Sequence, residues 1–371
     1  MPLKLKALFL FLLLFTVLHW PLLSHARVYD IYRPDYPRGA FCLAIGGACA
    51  AEADLANTFF QNPAALAVGS NDWNFDGDYS SHTSPEPGMR DSNDVQQTDF
   101  SGGFGISHGH FGYGASYMQE NYQVSSAIAV YDDSGLPVYS RADVTAHYSQ
   151  IRIPLAFMLG ENLSLGIAPS LSLHSQELTL AGTNAIPSAT NSSKFSLSAG
   201  AIYKISPQLR VGTWISPPKT LFETVKFSGT SFSTTVHYNE DVALHYPFIW
   251  AAGIEYTITP RLTLYGENDV IGTTTKGFLL SYNTMSSAIN ERALTTKGHH
   301  LTMEPRLGTR YIWGPKATIS AGTYLEKYRI DSDFGREHLT LGYAYKLANW
   351  LETIGGIDVA KGYAKLMFSF R

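Results

Sequence analysis

Residues 338–347 read His-Leu-Thr-Leu-Gly-Tyr-Ala-Tyr-Lys-Leu. A β-strand sends successive side chains to opposite faces. Leu339, Leu341, Tyr343, Tyr345 and Leu347 therefore share one face, and His338, Thr340, Gly342, Ala344 and Lys346 share the other. One face is greasy and the other small or polar. In a soluble sandwich the greasy face meets a second sheet. In an outer-membrane barrel it meets lipid.

The same alternation recurs from about Trp73 onward. Phe111, Tyr113, Ala115 and Tyr117 oppose Gly112, Gly114 and Ser116, and Trp250, Ile254, Tyr256 and Ile258 oppose Ala251, Gly253, Glu255 and Thr257. Met303, Leu307 and Tyr311 oppose Glu304, Arg306 and Arg310, and Ala364, Leu366, Phe368 and Phe370 close the chain. Tight links fall near Ser107–Gly109, Gly160–Asn162, Ser206–Gln208, Thr259–Pro260, Gly314–Pro315 and Ala348–Trp350. Longer polar loops alternate with them, near 81–97, 123–144, 179–193, 273–298 and 330–337. Short turns at one end and long loops at the other are the habit of outer-membrane barrels. A sandwich has no reason to sort loop length by parity. The spacing predicts an antiparallel transmembrane β-barrel of about 14 strands, or 12 if the weak segment near 351–360 is not a strand. The 22 tyrosines suit interfacial girdles but are also common in soluble β-proteins.

The N-terminus reads as an export signal. Lys4 and Lys6 precede an apolar run from Ala7 to Leu18, and Ser24-His25-Ala26 follows with small residues at its ends. The run is short for a membrane helix. Cleavage is expected after Ala26, which makes residues 1–26 a signal peptide and moves the formal charge from −4 to −6 as Lys4 and Lys6 leave. That balance is too mild for a polyanionic partner, and no basic cluster points to nucleic acid. Cys42 and Cys49 are the only cysteines. Export permits a disulfide between them, and their spacing is a poor zinc signature.

The charged residues of the polar faces are Arg152, Arg210, Glu255, Glu267, Asp269, Glu304, Arg306 and Arg310. A lipid-facing Arg near the midplane costs about 2–4 kcal/mol, so these are expected to point into the lumen. Mixed signs favour lumen salt bridges, with guidance of a polar head group as the less favoured role. No catalytic motif, phosphate loop or cofactor signature is present. His108 with His110, and His299 with His300, lack a positioned carboxylate, and no metal site is expected.

Residues 27–66 do not alternate. Ala44 to Ala56 is rich in small residues, and Asn57-Thr58-Phe59-Phe60-Gln61-Asn62-Pro63-Ala64-Ala65-Leu66 follows. Such a segment suggests short helical turns packed inside something larger. Ala48 to Leu66 resembles the plug of FadL/TodX-type outer-membrane transporters of hydrophobic compounds, with Asp54, Phe59-Phe60 and Asn62-Pro63-Ala64 in the order found there. Residues 199–217, 253–256 and 307–311 resemble strand pieces of the same family. The resemblance implies a 14-stranded barrel (67–371) with an N-terminal plug (27–66) in its lumen. It also implies capture of a fatty-acid-like molecule in an apolar site over the plug, and exit through the wall beside a kinked strand. Pro63 blocks helix continuation and Asn62 can bond neighbouring backbone. The kink would fall on Gly112 and Gly114, where the alternative is packing room for the plug. The terminal Arg371 departs from the usual aromatic end.

The resulting expectation is passive uptake of hydrophobic small molecules across the bacterial outer membrane by a monomer embedded in lipid, with no cofactor and no enzymatic activity. The alternative is a structural or adhesive barrel that uses its long loops, foremost 273–298. A membrane-embedded hydrolase ranks below both for want of a motif.

Overall fold

The alternating segments become the staves of a closed wall. A computed structural model describes residues 27–29, 39–52, 60–68, 73–85, 94–131, 137–180, 188–231, 234–272, 301–327, 335–360 and 363–370. The expected signal peptide, Asp54, Phe59, the 273–298 loop and Arg371 lie outside the described residues.

The strands are β1 (Arg27–Tyr29), β2 (Trp73–Pro85), β3 (Asp94–His108), β4 (Phe111–Tyr131), β5 (Pro137–Arg152), β6 (Leu155–Leu159), β7 (Leu163–Leu180), β8 (Ser188–Ser206) and β9 (Leu209–Ser216). They continue as β10 (Lys219–Ser231), β11 (Thr234–Tyr246), β12 (Ile249–Thr259), β13 (Leu262–Ile271), β14 (Thr302–Ile312), β15 (Ala317–Lys327), β16 (Gly335–Ala348), β17 (Leu351–Ala360) and β18 (Tyr363–Phe370). Neighbours pair antiparallel around the wall, β18 pairs β2, and β3 pairs both β2 and β4, so the sheet closes on itself.

The closed sheet contains 15 strands by hydrogen bonding, but β5 and β6 are one stave. Ser116 faces Arg152 and Tyr113 faces Leu155 in the same register, with Ile153 and Pro154 between. Pro154 has no N–H to give the ladder. Its carbonyl still accepts from Gly114 N (3.0 Å), and Ile153 N donates to the Pro169 carbonyl (3.0 Å). The barrel thus has 14 staves, the number expected.

Burial follows the alternation. Leu339, Leu341, Tyr343, Tyr345 and Leu347 are exposed, whereas His338, Thr340, Gly342 and Ala344 are buried. A greasy outside and a buried polar inside make the transmembrane barrel and exclude the sandwich, in which the greasy face would be covered. Exposed Phe111, Tyr113, Tyr256, Tyr311, Trp313, Tyr343 and Trp350 gather toward the tight turns, as an interfacial girdle does.

Two features depart from the sequence reading. The strands run well into segments read as loops: β2 reaches Pro85, β4 reaches Tyr131 and β7 reaches Leu180. Just short of two of these segments, at Thr98, Gln119, Asn121 and His147, polar side chains already bond across the ladder while pairing continues. Gln119 donates to Asn121 (2.9 Å), Asn121 to Thr98 (3.4 Å), and His147 bonds Asn121 (2.7 Å). Hydrophobic alternation marks only the lipid-immersed part of a strand, so it stops before the strand does. The second feature is the β10–β11 hairpin, which leaves the wall between β9 and β12 and pairs in parallel with β1. Its sequence alternates like a stave (Val236, Tyr238, Val242, Leu244 and Tyr246 against His237, Asn239, Asp241 and His245), so alternation alone does not announce that it leaves the wall.

Candidate functional site

The lumen holds the segment before β2. A short helix, α1 (Ala40–Ala44), leads to a tight loop at Ile45–Gly47. Gly46 and Gly47 have φ of 70° and 74°, the left-handed region that favours glycine. A disulfide joins Cys42 to Cys49 across that loop. A second piece is a 3₁₀ turn, Pro63–Ala67. Residues 40–51 and 60–67 are buried throughout. They form the plug.

The plug sits on a belt of inward-facing glycines. A methyl group at Gly112 would lie 2.5 Å from the Leu66 carbonyl oxygen, and one at Gly166 would lie 2.5 Å from the Pro63 carbonyl carbon. At Gly212 it would meet the Ala50 carbonyl carbon at 2.5 Å, at Gly308 Ile45 Cβ at 2.8 Å, and at Gly322 Gly46 Cα at 2.7 Å. Gly342 is closed in the same way by Ala44. No side chain fits between wall and plug backbone at these places. Gly112 is therefore packing room for Leu66. β4, which carries Gly112 and Gly114, keeps one uninterrupted register with β3 from Val95–Val124 to His108–Phe111.

Side chains of the wall bolt the plug down. Asn62 caps the 3₁₀ turn, its Oδ1 accepting from Ala64 N (3.1 Å), with Pro63 at the first position, where a missing N–H costs nothing. Its Nδ2 donates to the Ala50 carbonyl (2.7 Å) and to the Ala201 carbonyl of β8 (3.2 Å). One side chain thus ties both plug pieces to each other and to the wall. Ser164 donates to the Ala64 carbonyl. Glu267 accepts from Ala50 N (2.6 Å), and Thr340 accepts from Gly46 N (3.1 Å) while donating to the Ala44 carbonyl (3.2 Å). Phe60 is fully buried in the same body. Gln61 has its carbonyl 3.5 Å from Arg152 Nη2.

The predicted lumen charges all point inward and fall into separate groups. Arg210 pairs with Glu255, and Arg310 lies 3.8 Å from Glu52 of the plug. Arg306 bonds Asp269 (2.9 Å) and Glu304 (3.1 Å) and lies over the Tyr324 ring at 4.7 Å. Arg152 donates to Ser198 (2.7 Å). The alternation also holds a group that sequence reasoning missed. His338 bonds Asp358 (2.9 Å) and Glu326 (3.2 Å) and stacks on Tyr324. Lys365 pairs with Asp99 at 3.0 Å. Both lie on inward faces, and only the three-dimensional neighbour relations join them.

On the loop side of the plug the lumen wall is divided. One sector is apolar: Trp214, Ile249, Ala251 and Ile271 cluster with Ala50 of the plug. On β5, β7 and β8 it is a run of hydroxyls and amides, with Gln150 donating to Ser170 (3.3 Å) and Ser172 (3.2 Å). Lys219 joins that run through Ser172 (2.8 Å) and Tyr148. Among the described residues no group of three or more His, Cys, Asp and Glu side chains has metal-binding geometry.

Solved structures share this architecture. The Ralstonia pickettii toluene transporter TbuX superposes with a TM-score of 0.66 at 13% identity, over 90% of this chain and 97% of that one. The Pseudomonas putida toluene transporter TodX gives 0.65 at 12% identity, over 93% and 98%. A Pseudomonas aeruginosa FadL homologue gives 0.58 at 11% identity, over 90% and 97%. No protein-family profile matches the chain, and no curated protein does. At such identities the likeness is one of fold.

Proposed function

We propose that this plugged barrel, which shares its fold with the TodX, TbuX and FadL-homologue structures, is an outer-membrane channel for passive uptake of hydrophobic small molecules. The observation that carries the reading is the plug: a buried body bolted into a lumen whose outer surface is made for lipid. A structural barrel has no need of a stopper fitted to a glycine belt. The apolar sector of Trp214, Ile249, Ala251 and Ile271, which rests on Ala50, is the place of capture. A cargo of fatty-acid or monoaromatic type fits an apolar patch bordered by the hydrogen-bonding side chains of β5, β7 and β8. Passage follows displacement of the plug, and no energy-coupling motif is needed for a downhill flux.

The N-terminal segment read as an export signal and the greasy wall support outer-membrane residence, with tight turns on the periplasmic side. The test is transfer of a labelled long-chain fatty acid, and separately of toluene, into liposomes carrying the purified protein. Faster entry of either than into protein-free liposomes is expected, and its slowing by Trp214→Asp would place capture at the apolar sector. Equal entry of both with and without protein would overturn the reading.

A further inference from the structure

We propose that the β10–β11 hairpin is a hinged lid, folded into the lumen at the facing prolines Pro218 and Pro247. Cargo loads when the lid lifts; this second half rests on the uptake reading. The hairpin is the continuation of the ribbon formed by β9 and β12. The β9–β12 ladder ends at Ser216–Ile249, and the β10–β11 ladder starts at Lys219–Tyr246. Two residues intervene on each strand, so the register is kept, with Pro217 opposite Phe248 and Pro218 opposite Pro247.

Odd-numbered residues of β12 address β9, since Thr257 N donates to the Gln208 carbonyl (2.8 Å). Even-numbered Phe248 turns the other way, its carbonyl accepting from Gly272 N (2.7 Å). In that alternation positions 218 and 247 make up a row that exchanges two ladder bonds. Proline has no N–H, so neither bond exists. A proline on one strand does not have this effect: after Pro154 the chain rejoins the wall as β6, paired with both β4 and β7. After the double break β10 and β11 pair with no wall strand, and among the described residues their one outside partner is β1.

The fold is inward. Nζ of Lys219, the first residue of β10, donates to Ser172 of β7 (2.8 Å) and to Tyr148 of β5. Along the wall β9 is three strand spacings from β5, through β8 and β7, or about 14 Å. A lysine side chain is far shorter than that, so β10 leaves the wall and crosses the lumen side of β8, beside which it lies. Tyr246, the last residue of β11, packs on Tyr148 with ring centres 5.4 Å apart. The ammonium of Lys219 lies 5.0 Å and 4.7 Å from the centres of these two rings. Both root residues of the hairpin thus hold the opposite wall strands, and together they are the latch. The apolar sector begins directly below the hinge, with Trp214 just before Pro217 and Ile249 just after Pro247. Trp214, Ile249 and Ile271 are buried at the loop end of the lumen, and the plug brings only Ala50 to their cluster. The folded hairpin is their roof.

The test uses the full chain in detergent micelles and a pyrene-labelled fatty acid, with folded barrels selected by heat-modifiable migration. Lys219→Cys with Ser172→Cys is joined by a short bis-methanethiosulfonate, which reductant cleaves; the native cysteines are bonded and do not react. The join should form readily, since the two native side chains touch, and should slow loading at least tenfold. Reductant should restore loading and leave the wild type unaffected. Pro218→Val with Pro247→Val returns both ladder bonds, so the hairpin should stand up as a continuation of the wall. In that background the join should form at least tenfold more slowly. A water-soluble maleimide should label Ile271→Cys at least tenfold faster there, with or without the fatty acid. Undiminished loading with the join in place overturns the lid. Equal joining or equal labelling with and without the two prolines overturns the hinge. The expected joining and labelling, with no fatty acid bound by any form, overturn the uptake reading and leave the hinge standing.

Discussion

Replacing Asn62 by Ala is the sharpest probe of the plug. The change removes three hydrogen bonds at once: from Ala64 N at 3.1 Å, to the Ala50 carbonyl at 2.7 Å and to the Ala201 carbonyl at 3.2 Å. The Ala201 carbonyl lies in the β8 ladder and keeps a partner there. The principal losses are the cap, worth about 1 kcal/mol, and the bond that ties Ala50 to the 3₁₀ turn. A buried group left without its partner costs about 1–3 kcal/mol. Together they weaken plug seating by about 3 kcal/mol, roughly a hundredfold in the unseated population by the usual 1.4 kcal/mol per decade. The barrel wall is untouched, so heat-modifiable gel migration should match the wild type. Amide exchange at Ala64 and Ala65 should rise by about that factor, and planar-bilayer recordings should show more frequent openings. Asn62→Asp keeps the acceptor for Ala64 N but turns a carboxylate toward the Ala50 carbonyl, and should unseat the plug at least as much. Wild-type exchange and conductance in Asn62→Ala would refute the view that this side chain is the plug's principal tie.

Gly308→Ala places a methyl 2.8 Å from Ile45 Cβ; overpacking of this kind costs about 1–3 kcal/mol, and should raise proteolysis of the plug while the folded-barrel gel band persists. Cys42→Ser with Cys49→Ser opens a loop of sequence separation 7, which loop-closure entropy values at about 2–3 kcal/mol; exchange at Gly46 should rise and barrel melting should stay unchanged. Arg306→Ala leaves Asp269 and Glu304 buried without their cation, a loss of about 3–5 kcal/mol, and should lower the temperature at which the folded band disappears. The double change Arg306→Met with Asp269→Asn should recover part of that loss in the same gel assay.

How far the sequence speaks depends on which solvent each residue faces. Where a strand crosses lipid, as at 338–347, the contrast between Leu339 and Thr340 is strong and the stave is legible. Where the same strand rises into water, both faces are polar. Residues such as Gln119 and Asn121 then carry no apolar contrast, although their bonds and the ladder continue. The β10–β11 hairpin is misread for the opposite reason: it alternates like a stave, and its pairing with β1 shows that it has left the wall. Asn62-Pro63-Ala64 announces a capped turn, but its tie to Ala50 and Ala201 depends on partners 12 and 139 residues away. The glycines at 112, 166, 200, 212, 308, 322 and 342 invite a reading as weak points of single strands. Only closure of the barrel brings them level, and then they become the seat of one object.

That seat also dictates an order of assembly. The stave before the wall's last closure, β18, pairs with β2, so the two ends of the barrel sequence meet only when the cylinder shuts. Clearance at the glycine belt is less than a methyl group, and a fitted body of this kind does not enter a finished cylinder from the end. The plug precedes β2 in the chain and must lie between the curling edges before β18 and β2 join. It is thus the mandrel on which the wall is wound, and variants that spoil its fit should lower the yield of closed barrels in refolding before they alter any property of those that form.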